Sequence, residues 1–158
     1  MQSDGRALIK ILSVPDHASV VGTLLGTMAG ESINIELLAQ SFDLDDYGNI
    51  ALVIDQKDLP RALDLLEGIK PTLDAKAISY TPDVAVITVF GHHLREKPYI
   101  HGRMFTSMAS VGVGSLAIST SISSVSCVIR GEETDTVLRA LSDTFQIPYQ
   151  VKTRPKDY

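Results

Sequence analysis

The feature that most constrains this chain is an internal repetition at a spacing of about 75 to 80 residues. Ala7-Leu8-Ile9-Lys10-Ile11-Leu12 opens the first half and Ala85-Val86-Ile87-Thr88-Val89-Phe90 the second. Both runs are rich in branched side chains, which suit a pleated, half-buried surface, so both predict strands. Each leads into a polar loop and then a helical stripe: Val20, Val21, Leu24, Leu25 and Met28 in one half, Ile100, Met104, Phe105, Met108 and Val111 in the other. Gly30 and Gly112 lie just past these stripes, where a left-handed terminating residue costs least.

Second strands are expected over Ile33 to Phe42 and Val113 to Ser121, and third strands over Asn49 to Ile54 and Val125 to Ile129. Asp43-Leu44-Asp45-Asp46-Tyr47-Gly48 supplies the first turn, and a tighter one near Ser123-Ser124 the second. A helix follows each time. Asp58 is placed to cap the first, with Pro60 in its opening turn and Ala62, Leu63, Leu65, Leu66 and Ile69 on its buried side. The other runs from about Glu133 to Phe145, with Glu132, Glu133 and Asp135 at its positive end. Fourth strands are expected at Lys76 to Tyr80 and Tyr149 to Thr153.

Each half therefore reads β-α-β-β-α-β, an α+β, ferredoxin-like pattern with antiparallel strands and helices on one face. Two tandem domains follow, residues 1–80 and 81–158, joined at Thr81-Pro82-Asp83. Such units leave sheet edges open, and pairing into a homodimer or higher oligomer closes them.

Composition narrows the function classes. With 44% hydrophobic and 21% charged residues the chain can build a core, and a net charge of -5 without a basic block argues against nucleic acid. Apolar stretches stop short of the ~18 residues a membrane span needs, and no secretory leader is visible. The single cysteine, Cys127, lies in an alternating apolar run and is read as a buried thiol. A cytoplasmic protein is expected.

No catalytic, metal or cofactor site emerges. His92 and His93 are consecutive, and His17 and His101 lack ligand partners at recognisable spacing. Phosphate loops are absent; Gly22, Gly26 and Gly30 read as a close-packing stripe on a helix. The hydroxyl-rich run from Ser119, Thr120 and Ser121 to Ser126 has no histidine base assigned to it, so it either binds a small zwitterion or holds a turn. A ligand carboxylate suits amides at a helix start, and an ammonium suits a carboxylate or amide oxygen. The loop Asp16, His17, Ala18 and Ser19 can offer both, with Asn34 and Gln40 on the next strand adding directional hydrogen bonds.

Ser13-Val14-Pro15-Asp16, the run Ser32 to Gln40, Val89-Phe90-Gly91 and Ile118-Ser119-Thr120-Ser121 resemble the paired ACT domains of the regulatory region of aspartate kinases. The resemblance covers about residues 7 to 153. It implies a non-catalytic module that binds a small amino acid, of the lysine or threonine class, at an interface between ACT domains. It further implies a separate kinase catalytic subunit as a partner. By the same likeness Asp16, Asn34, Ile35 and Gln40, together with Ser119, Thr120 and Ser121, fall on effector-binding segments. The alternative is a structural module that mediates association without a ligand.

Overall fold

The computed structural model describes residues 1–15, 18–91 and 99–145. Ten main elements follow in order: β1 (Gln2–Pro15), α1 (Ala18–Gly30), β2 (Ile35–Phe42), β3 (Tyr47–Asp55), α2 (Leu59–Leu73), β4 (Ala77–Phe90), α3 (Tyr99–Ser110), β5 (Ala117–Thr120), β6 (Ser124–Arg130) and α4 (Thr134–Phe145). The repeated β-α-β-β-α order is as the sequence pattern predicts. The strand expected at Tyr149 to Thr153 lies outside the described residues.

The chain divides into two compact units, and the division does not follow chain order. Arg6–Pro82 forms one; Met1–Gly5 joins the residues from Asp83 onward in the other. Two long strands cross the boundary, β1 after Gly5 and β4 after Pro82. The expected connector Thr81-Pro82-Asp83 does hold the division, but the chain passes it as continuous strand. Pro82 is compatible with extended backbone and lacks only an amide donor, while Asp83 takes up the irregularity at φ 53°.

Within Arg6–Pro82 the strand order is β2-β3-β1-β4. β1 and β3 pair antiparallel from Arg6↔Asp55 to Pro15↔Tyr47, and β2 lies against the other edge of β3. Alternation along β1 sends Ala7, Ile9 and Ile11 into a core with Ile50, Leu52 and Ile54, closed by Val20, Leu24 and Met28 of α1 and Ala62, Leu66 and Leu73 of α2. Asp58 precedes α2 but does not cap it with its side chain. That work falls to Asp55, which accepts the Lys57 amide at 3.0 Å and starts a 3-10 turn, leaving Asp58 to pair with Arg61.

In the second unit the order is β1-β4-β6-β5. The start of β1 lies beside β4: Met1 and Thr88 exchange backbone hydrogen bonds at 2.7 and 2.8 Å. Ala85, Ile87, Val125, Cys127 and Ile129 pack with Met104 and Met108 of α3 and Val137 and Leu141 of α4. Cys127 Sγ lies 3.7 Å from Met108 Sδ, and burial pushes its thiol up to about 12. It is a core residue.

Gly112 terminates α3 in the left-handed conformation, as expected, but Gly30 does not do so for α1; Ser32 takes that role. Nor do Gly22, Gly26 and Gly30 serve close packing: all are exposed, and a Cβ at any of them would meet nothing within 4 Å. No helix among the described residues is long and apolar enough to cross a membrane.

Candidate ligand-binding segments

The first candidate surface lies in Arg6–Pro82, at the end of the sheet where β1 runs into α1. Between Ile11 and Val14 the β1–β3 register shifts, and Ser13 adopts φ 52°. A bulge of this kind leaves an amide outside the ladder and re-aims the strand. The Ser13 amide donates to Asn49 Oδ1 at 3.0 Å, so a side chain on β3 holds the bulge that directs Val14 and Pro15 toward the helix. Asn49 was not among the sequence candidates. Its only local signal is an asparagine at the start of a strand, and its partner is remote in sequence.

Ala18 and Ser19 are exposed in the first turn of α1, which carries no acidic side chain. The amides of a helix's first turn have no intrahelical acceptor, so this end suits an anion. Asp16 and His17 lie outside the described residues. Gln40 is exposed on β2 opposite Ile50, which in turn pairs with Ile11. Strand register thus brings Gln40 to the same end of the unit as Ala18 and Ser19.

Asn34 and Ile35 lie elsewhere. They sit at the start of β2, and Ile35 is level with Ile54 and, across β3, Ala7. Six residues of extended chain separate Asn34 from Gln40, about 20 Å at the usual strand rise. One small ligand cannot reach both from the same unit. Next to Asn34 and Ile35, Glu36 is the extra residue of a second bulge, between Ile35↔Ile54 and Leu37↔Val53.

Ser119, Thr120 and Ser121 belong to the other unit. Ser119 is half-buried opposite Ser126, and Thr120 is exposed opposite Val125. Ser121 holds the turn: its Oγ accepts the Ser124 amide at 3.0 Å and the Ser123 amide at 3.3 Å, and lies 2.8 Å from Ser124 Oγ. Of the two readings of this serine, the turn is the one with contacts. Among the described residues no cluster of histidine, cysteine and carboxylate side chains could hold a metal ion.

Comparison with known proteins agrees with this architecture. An ACT domain model matches residues 87–145. An aspartate kinase of Stutzerimonas stutzeri is 26% identical over 141 residues, covering 89% of this chain and 34% of the relative. The chain thus spans about a third of the length of the curated relatives it matches. The structure of aspartate kinase from Synechocystis superposes with a TM-score of 0.89 at 29% identity, over 94% of this chain and 27% of that one. The ligand-free regulatory subunit of aspartate kinase from Thermus thermophilus superposes with a TM-score of 0.83 at 23% identity, over 92% of this chain and 95% of that one. This chain is an α+β protein of two ferredoxin-like units, of which residues 87–145 match an ACT domain model, and along most of its length it is similar to part of the aspartate kinases.

Proposed function

We propose that this chain is a non-catalytic regulatory module that binds a small amino acid and thereby alters the association or activity of a partner enzyme. The observation that carries the reading is the surface at the start of α1, where Ser19, a first turn with no acidic residue of its own and the exposed Gln40 share one end of the unit. The amides receive the ligand's carboxylate, and the Gln40 amide oxygen with Asp16 receives its ammonium. Lysine and threonine are the first ligands to try, and a kinase catalytic subunit is the partner, by likeness to aspartate kinases.

Calorimetric titration with a panel of amino acids tests this. Saturable heat from one of them, lost in Asp16→Ala and in Gln40→Ala while the circular dichroism stays unchanged, is the expected result. No heat from any member of the panel overturns it.

A second reading, an association module without a ligand, draws on a different observation. The outermost strands β2 and β5 carry exposed Phe42 and Ile118, and Ile122 is exposed on the turn beyond β5. Open apolar edges favour pairing with another chain. A concentration-independent dimer in sedimentation together with silent calorimetry is its signature.

A further inference from the structure

Arg6 is almost fully buried, 5% exposed, directly before the buried aliphatic run Ala7, Leu8 and Ile9 of β1. Its Nε donates to Glu36 Oε2 at 2.5 Å, and its Nη1 lies 3.6 Å from Asp55 Oδ2, the register partner of Arg6 on β3. Glu36 reaches this position because it is the extra residue of the β2 bulge, and bulges re-aim the side chain they insert. A buried guanidinium paired with carboxylates holds its counter-charges in place, because releasing either partner leaves an uncompensated charge out of water.

Arg6 is also the first residue of its unit. The residue before it, Gly5, has φ 64° and belongs with the other unit, as do all residues of the chain ahead of it. Hence the pair clamps β1 at the point where the strand passes out of Arg6–Pro82, and its acidic member is adjacent to Asn34 and Ile35.

We infer that Glu36, through Arg6, is a positioning residue that couples the start of β2 to the docking of Met1–Gly5 beside β4. A disturbance at Asn34–Ile35 moves Glu36; Glu36 releases or tightens Arg6; and the strand segment beyond Gly5 loosens or tightens in the ladder of the second unit. The ligand surface proposed above lies at the other end of β2 from Asn34 and Ile35, so the coupling is stated for the chain without a ligand. The coupling itself needs no ligand.

Amide hydrogen exchange on the full chain without ligand tests it in Glu36→Gln and, as a milder variant that keeps the charge but not the planar donor, Arg6→Lys. The expected result in Glu36→Gln is at least about tenfold faster exchange across Ser3–Gly5 and Val84–Thr88, with a smaller change at Leu52–Ile54, and an intermediate pattern in Arg6→Lys. A merely local structural role would accelerate β2 and β3 and leave Ser3–Gly5 and Val84–Thr88 as in the wild type; that pattern, or uniform acceleration, overturns the inference. If no amino acid gives heat, the sensing function fails while the ligand-free exchange pattern still decides the coupling.

Discussion

Ser32 and Gly112 occupy the same place in the two repeats: each is the left-handed residue two positions past the end of its helix, at φ 56° and 78°. The amide of Ser32 donates to Ala29 O and that of Ile33 to Met28 O, both at 2.9 Å. Eighty residues on, Gly112 donates to Ala109 O and Val113 to Met108 O, both at 3.0 Å. One helix terminus has been kept twice, with the conformationally free residue in only one copy.

Because a side chain in the left-handed region costs about 1 kcal/mol, Ser32→Gly should stabilise the chain by up to that amount, less the added chain entropy of glycine. Gly112→Ala should destabilise it by about 1 kcal/mol through backbone strain alone, since nothing lies within 4 Å of the new methyl. Urea unfolding midpoints with unchanged slopes are the readout.

Gly131 is restricted for a different reason. A Cβ there would stand 2.8 Å from the Asp83 carbonyl oxygen, an atom of the backbone that cannot swing aside. Gly131→Ala should therefore cost about 1–3 kcal/mol, as overpacking does, despite a φ that alanine tolerates. Equilibrium unfolding followed at α4 would show it.

The Cys127 thiol, raised to about 12 from 9.0 by burial, makes stability depend on pH at the alkaline end. Below pH 9 both states carry the proton and the contribution is constant. Between about 9 and 12 only the unfolded chain ionises, so stability falls with rising pH, by about 1.4 kcal/mol per unit at the steepest. Cys127→Ala should remove that part of the slope. In the native protein the thiol should resist alkylation at pH 8 and react once urea unfolds the chain.

Ser121 and Gln40 separate structure from binding. Ser121→Ala removes the acceptor of two turn amides and should cost about 1 kcal/mol. Gln40→Ala, at an exposed site, should change stability by less than about 0.5 kcal/mol and yet abolish ligand heat. Thermal melts and calorimetry on the same two proteins decide it.

Met1–Gly5 belongs to the second unit, so deleting it should destabilise that unit selectively. Exchange at Val84–Thr88 should accelerate, while Leu52–Ile54 keeps its protection.

How far each feature could be read beforehand follows the distance over which it is determined. Period and amphipathic stripe depend on a residue's place on its own backbone, so the order of elements and the buried faces Val20, Leu24, Met28 and Met104, Met108 were legible. So were the turn at Asp43, whose carboxylate accepts the amides of Asp45 and Tyr47, and the burial of Cys127. Gly30 misled because composition marks where a helix ends but not which of the following residues turns left-handed. Asp58 misled because the 3-10 turn before α2 moved the cap one turn back, to Asp55.

Of the candidate binding residues, Ser19 and Gln40 are exposed at one end of the unit, but local pattern could not tell that Asn34 lies at the other end of β2 from Gln40, nor that Ser121 is occupied by its own turn. By itself the sequence determined the repeated β-α-β-β-α order, through side-chain periodicity that any short segment carries within it. Only the tertiary structure decided that the first five residues belong to the second unit, that Asn49 seats the bulge at Ser13, and that Arg6 meets Glu36. Those contacts join residues 30 to 87 positions apart, and no local pattern encodes which distant strand will lie alongside.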